Sequence, residues 1–260
     1  MIETEPTALR EHQFKAMGTT ASLLMSRVGS ADFTDATALV EDILLRIGER
    51  FSLDNRESEL SQIHNGAALA NVSDEMQRVL DGCRLVEAMT DGAFRPRNAA
   101  GDPDPTGFVT GWAIKRAGAA LTDTGATDWC LNVGGDILTS GLNNHRPWHV
   151  AIQNPQKPDA VVAVLEVSDL AVATSGHYAR EIDGQATPHI WDSEGQLDAR
   201  MGSMTVVGPA VDIADALATG CWAMGNAAFE VLERIPEYHL MKVEEDSIMV
   251  SEGFPYLVQA

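Results

Sequence analysis

AVVAVLEVSDLAVATSG, residues 160–176, decides how this chain reads. The stretch is apolar and rich in β-branched valine, which suits a pleated, half-buried surface. It closes on two hydroxyls and a glycine, Thr174, Ser175 and Gly176. Outward from it, WHVAIQNP (148–155), ATPHIWD (186–192) and SMTVVGP (203–209) alternate or run apolar in the same way. The second half is therefore expected to hold a sheet of several strands. Residues 129–133 read as another strand, with Gly134-Gly135-Asp136 as the turn that follows it. FKAMGTTASLLM (14–25) reads as a strand or hairpin, and HLMKVEEDSIMVSEG (239–253) as a terminal hairpin.

Helical periodicity dominates elsewhere. Over residues 32–52, Leu39, Ile43, Leu44, Ile47 and Phe51 fall on one stripe that a core would cover. Residues 73–92 offer Ser73 or Asp74 as N-cap, put Met76, Val79, Leu80, Cys83, Leu85 and Val86 on the apolar side, and end at Gly92. Further helices are expected over 107–121, 213–224 and 227–234. RPRNAAGDPDPTG (95–107) is too dense in Pro, Gly, Asp and Asn for a regular element and reads as a loop leading into a helix. No repeat and no long linker interrupts the pattern.

At 260 residues and 45% hydrophobic, the chain can bury one large core. Its net charge of -20 repels a phosphate backbone and an anionic membrane, which removes nucleic acid from the expected partners and leaves divalent cations as favoured ligands. The 3 cysteines, Cys83, Cys130 and Cys221, lie far apart without zinc-site spacing. The opening residues lack a basic region followed by an apolar run, and no segment approaches the roughly eighteen apolar residues a membrane span requires. A cytoplasmic protein without a membrane span is the expectation.

Four places carry chemistry. In ADALATG (214–220), Asp215 and Thr219 are one helical turn apart and share a face. A carboxylate and a hydroxyl so placed are hard oxygen ligands of the kind Mg²⁺ takes, although such a pair alone is more often a cap or a surface contact. Gly134 and Gly135 at a strand end let backbone N–H groups approach a phosphate or ring, and as a bare motif are ordinarily a turn. TSGHYAR (174–180) combines hydroxyls, an aromatic and a cation, the mix that orients a polar aromatic ligand or simply ends a strand. His189, before Ile190 and Trp191, is either a hydrogen-bonded core histidine or a proton-transfer group.

Taken in order, MGTTASLL (17–24), RFSLDNRESELSQIH (50–64), DPTGFVTGWAIKRA (104–117), LNVGGDI (131–137), ATSGHYAR (173–180), HIWDSEG (189–195), SMTVVGP and ADALATG resemble the ApbE family of FAD:protein FMN transferases. That resemblance implies one α+β domain over residues 1–260, a mainly antiparallel sheet core flanked by helices. It implies FAD in a cleft, with Mg²⁺ held beside the pyrophosphate by Asp215, Thr219 and the backbone carbonyl of Val109. His189 and Asp215 are the implied catalytic residues. Met17, Ser58, Thr106, Gly134, Gly135, Asp136, Ser175, Gly176, Tyr178 and His189 are the implied flavin contacts. The implied reaction moves FMN from FAD to a threonine of an acceptor protein, within a D-[ST]-G-A-T-like sequence, and releases AMP. The alternatives are an FAD pyrophosphatase giving FMN and AMP, a flavin-binding protein without transfer, and a purely structural protein on the same scaffold.

The chain also departs from the family pattern. Thr110 stands where DPTGFVTGW should carry a lysine, Arg95 replaces the aspartate of F-D-P, Asp54 replaces an aromatic, and His64 replaces an asparagine. Loss of a lysine removes a point charge from the pyrophosphate, which Arg95, Arg97 or Lys115 is placed to restore. Loss of the ring at 54 removes a stacking surface that Trp112, Trp191 or Tyr178 is available to supply.

Overall fold

The computed structural model describes residues 8–176, 181–182, 185–186, 202–244 and 247–257. β1 (Arg10–Ala16) and β2 (Thr19–Met25) form the first hairpin, followed by α1 (Ser30–Arg50), α2 (Glu59–His64), α3 (Asp74–Met89) and α4 (Thr106–Asp123). Then come β3 (Trp129–Val133), β4 (Asp136–Ser140), β5 (Trp148–Asn154), β6 (Lys157–Val167) and β7 (Ala171–Gly176). The short β8 (Glu181–Ile182) and β9 (Gln185–Ala186) precede β10 (Gly202–Gly208), α5 (Val211–Met224), α6 (Ala228–Leu232), β11 (His239–Glu244), β12 (Ser247–Val250) and β13 (Tyr256–Leu257).

The strands of the second half do not make one sheet. An 8-stranded sheet runs β1-β2-β3-β4-β7-β10-β11-β12, while β5 and β6 leave it to form a 3-stranded sheet in the order β13-β6-β5. Every pairing among the described residues is antiparallel, so the expected α+β class with a mainly antiparallel core holds. Alternation within each strand then builds two cores. Leu131, Val133, Ala171, Ala173, Met204 and Val206 join the helices on one face. Cys130, Val172 and Val207 meet Val150, Ile152, Leu165 and Val167 of the small sheet on the other. The large sheet is thus the middle layer of three.

Helix α5 lies at the centre of the helical layer against β7 and β10. Its sequence is apolar or small almost all round, and ten of its residues are buried, as expected of a helix enclosed on several sides. Small residues permit unusually close packing with α4: a Cβ on Gly111 would sit 2.6 Å from the Val211 carbonyl oxygen and 2.7 Å from Asp212 Cα. The two backbones touch there.

Most local expectations hold and two differ, while the strand expected over 186–192 lies outside the described residues after Ala186. Ser73 caps α3, its hydroxyl accepting from the Met76 N–H at 3.1 Å. Leu85, however, is 54% exposed, because at helical spacing it falls outside the stripe formed by Met76, Val79, Leu80, Cys83 and Val86. Helix α2 was hidden inside RFSLDNRESELSQIH because six residues are too few to establish a period. No helix among the described residues is long and apolar enough to cross a membrane.

Candidate active site at the crossing of two helices

Asp215 projects from α5 toward α4, 7% exposed, and its Oδ2 accepts the Gly111 N–H at 2.9 Å. One turn later Thr219 reaches β7, where its hydroxyl pairs with that of Ser175 at 3.1 Å. A Cβ on Gly107 would lie 3.5 Å from Thr219 Oγ1, so the first turn of α4 runs directly beside this hydroxyl. Val109 is buried in that same opening stretch of α4. Asp215, Thr219 and Ser175 are therefore joined at the α4–α5 crossing, with Val109 in the opening stretch of α4 and Gly176 next along β7.

A second acidic residue joins them. Asp212 is 2% exposed, accepts Lys115 Nζ at 2.7 Å through Oδ2, and has no hydrogen-bond partner for Oδ1. Positions 212, 215 and 219 share one face of α5, a signal that the sequence carried and that attention to ADALATG passed over. Negative charge concentrates here. Burial pushes the Cys83 thiol up to about 12, with the charges of Asp104 and Asp215 adding to the push. Burial, then the Asp212 charge, likewise lifts the Tyr238 phenol to about 12. Among the described residues no group of three His, Cys, Asp or Glu is arranged to hold a metal. Mg²⁺ needs only one or two carboxylates, the remainder coming from hydroxyl, carbonyl, water and phosphate oxygens. Asp215 and Thr219 supply oxygens of that kind.

The loop into α4 borders a cavity of about 590 Å³ lined by Leu53, Arg56, Ser61, His64, Asn65 and Asn98. His64 Nε2 lies 2.7 Å from the Pro103 carbonyl oxygen, and Asn98 donates to Asp102 at 3.2 Å. This side chain pairing ties α2 to the segment that delivers Asp104, whose carboxylate accepts from the Thr106 hydroxyl at 2.7 Å and from its N–H at 3.2 Å. Arg56 and Asn98 were not anticipated as site residues. Nothing in their local pattern marks them, since the cavity joins segments some forty residues apart.

Other expected contacts are placed less centrally. Ser58 is buried as the N-cap of α2, its hydroxyl donating to the Ser52 carbonyl at 2.5 Å and accepting from Ser61 N–H at 3.0 Å. Met17 occupies the β1–β2 turn at φ 51 and packs against α1 at Gly48; a non-glycine residue in this region is strained, a state that persists where surroundings impose it. Gly134 and Gly135, at φ 66 and 104, form the two-residue turn between β3 and β4. The Asp136 carboxylate accepts the Thr174 N–H at 3.3 Å, pinning β4 to β7. Lys115 is paired with Asp212. Trp112 stacks on Phe108 at 6.4 Å between ring centres. Tyr178, His189 and Trp191 lie outside the described residues.

Residues 103–241 match the family described as the ApbE family. The chain is 32% identical over 151 residues to the FAD:protein FMN transferase of Vibrio cholerae serotype O1, covering 55% of this chain and 45% of that protein. It is 34% identical over 141 residues to the FAD:protein FMN transferase of Rhodobacter capsulatus, covering 53% and 27%. The matched stretch thus spans less than half the length of these relatives. In fold it is similar to the flavin transferase ApbE from Vibrio cholerae, with a TM-score of 0.80 at 21% identity over 96% of this chain and 100% of that one. It is equally similar to the ApbE protein from Thermotoga maritima, with a TM-score of 0.80 at 23% identity over 94% and 97%.

Proposed function

The chain belongs to the ApbE family, and on that premise we propose that it is a Mg²⁺-dependent FAD:protein FMN transferase. The observation that carries this reading is the convergence of Asp215 and Thr219 of α5 on the glycine-bearing start of α4. FAD is the substrate. A threonine hydroxyl of the acceptor protein attacks the FMN-side phosphorus, the bond to the AMP oxygen breaks, AMP leaves, and the hydroxyl proton passes to a base. His189 is the proposed base, since its ordinary pKa lies nearest neutrality among the candidate groups. Asp215, Thr219 and the Val109 carbonyl are the proposed metal holders. A bound Mg²⁺ supplies Lewis-acid polarisation and charge neutralisation at the pyrophosphate.

The remaining residues position the flavin nucleotide. The bare backbone at Gly107 lets the pyrophosphate approach the start of α4 without a side chain between. Thr106 and Ser175 offer hydroxyls on either side of Thr219, and Met17, Ser58, Gly134, Gly135, Asp136, Gly176 and Tyr178 complete the proposed flavin contacts. Arg56, beside His64 in the 590 Å³ cavity, supplies a cation that can face a phosphate. Three buried, unpaired cysteines suit a reducing compartment, and the cytoplasm is the proposed location.

Thr110 and Asp54 favour one second reading, hydrolysis of FAD to FMN and AMP without an acceptor. The test is FAD titration by fluorescence with and without Mg²⁺, on the wild type and on Asp215→Ala, with AMP measured in the same tubes and a peptide bearing Asp-Ser-Gly-Ala-Thr as acceptor. Transfer is expected to give AMP and an acid-stable flavin on the peptide, with turnover falling about 100-fold or more in the variant. AMP and free FMN with an unlabelled peptide would favour hydrolysis. Absence of FAD binding in every tube rejects both readings.

A further inference from the structure

The small sheet ends at β5, and a cavity of about 290 Å³ runs along that strand. Every residue from 150 to 155 lines it, facing Ile137, Thr174 and Ser203 of the large sheet. We propose that this edge of β5, terminal among the described residues, is the docking site for an extended, uncharged segment of the acceptor protein, which adds to the small sheet as a fourth strand. The identity of the occupant rests on the transferase reading; the docking edge does not.

Three observations single out this edge. A terminal strand presents backbone N–H and C=O groups that another strand satisfies, and the five cleft-lining residues of β5, 150–154, span about 17 Å. Second, none of the eleven residues lining the cleft is charged, on a chain whose net charge is -20. The cleft therefore selects small and apolar side chains over basic ones. Third, the Ser203 hydroxyl is buried at 2% exposure without a hydrogen-bond partner. An orphaned buried hydroxyl is costly, and a backbone or hydroxyl group entering the cleft would satisfy it. At 290 Å³ the cavity lies just below the usual range of small-ligand pockets, about 300–1,000 Å³; a strand lying half outside uses it better than an enclosed cofactor.

The position suits delivery to the candidate active site. Thr174 lines the cleft and its neighbour Ser175 bonds Thr219 on the opposite face, so a single strand thickness separates docked segment from metal holders. Ser203 pairs across from Gly176, the last residue of β7, at the sheet end where both faces meet.

The other exposed edges are less suited. β1 carries Arg10, Glu11, His12 and Lys15, charges that discourage added strands. β12 exposes Ile248, Met249 and Val250 but is only four residues long.

The probe is a capped ten-residue peptide of alternating threonine and alanine, added to the full chain and followed by amide hydrogen exchange and fluorescence anisotropy. Protection is expected within residues 148–155, with affinity falling at least tenfold in Ile137→Lys and in Ser203→Val. FAD affinity is expected to be unchanged in both variants, which also shows that they fold. Protection at Ser247–Val250 instead, unaltered affinity in both variants, or no binding up to millimolar peptide would each overturn the docking edge. Peptide docking with no FAD binding would retain the edge and reject the transferase reading.

Discussion

On β7, consecutive residues serve opposite sides of the molecule. Ser175 points to the helical layer and bonds Thr219; Thr174 points to the small sheet and pairs with Thr205 at 2.9 Å. The helical side gathers Asp212 and Asp215 against backbone of α4, while the other side is lined without a single charge. Strand alternation alone separates them by one position. A polar group's chemical role here depends on which of the two layers covers it, since both layers draw on the same hydroxyl-rich strand end.

The largest expected effect comes from exchanging hydroxyls across that boundary. Thr219→Val should lower AMP release from FAD about 100-fold, whereas Thr174→Val should stay within about threefold, with circular dichroism confirming that both fold. Equal losses would erase the distinction between the faces. Next in size is Gly111→Ala, whose new methyl would meet Val211 O at 2.6 Å. Forcing α4 from α5 should cost about 1–3 kcal/mol and lower Tm by several degrees in a thermal melt.

A smaller effect tests an anchor remote from both faces. Burial alone would raise the Asp128 carboxyl, but the Leu142 N–H, Arg27 and Thr127 outweigh it and hold it below the ordinary range. Because the folded value is depressed, its contribution is present above the unfolded pKa of about 3.9 and is lost as pH falls through the folded one. Asp128→Asn should therefore destabilise by about 1–3 kcal/mol at pH 7. Denaturant melts repeated toward pH 3 should show the gap closing. The smallest expected signal is none at all. Cys83 and Cys221 on the helical side and Cys130 on the other are all buried and pushed to about 12, so a thiol reagent at pH 8 should label no cysteine until the protein is unfolded.

Much of this fold was legible locally. The valine-rich stretch 160–176 became β6 and β7, the repeat of Met76, Val79, Leu80 and Cys83 became one face of α3, and Gly134-Gly135 became the turn between β3 and β4. Asp215 and Thr219 were recognisable through helical spacing and family wording together. Leu85 was misplaced because an apolar residue beside a stripe is indistinguishable by composition from one within it. Arg56 and Asn98 left no trace, since a cavity wall has no period.

Element identity belongs to the sequence because backbone propensity, alternation and turn chemistry act over a few residues. The partition into two sheets, the pairing of Asp215 with Gly111 and of Ser175 with Thr219, and the choice of which face each strand residue serves belong to the tertiary structure. These join positions 104 and 44 residues apart. Such contacts form only when a sheet buries both its faces at once, and that requirement is met by the whole chain, not by any segment of it.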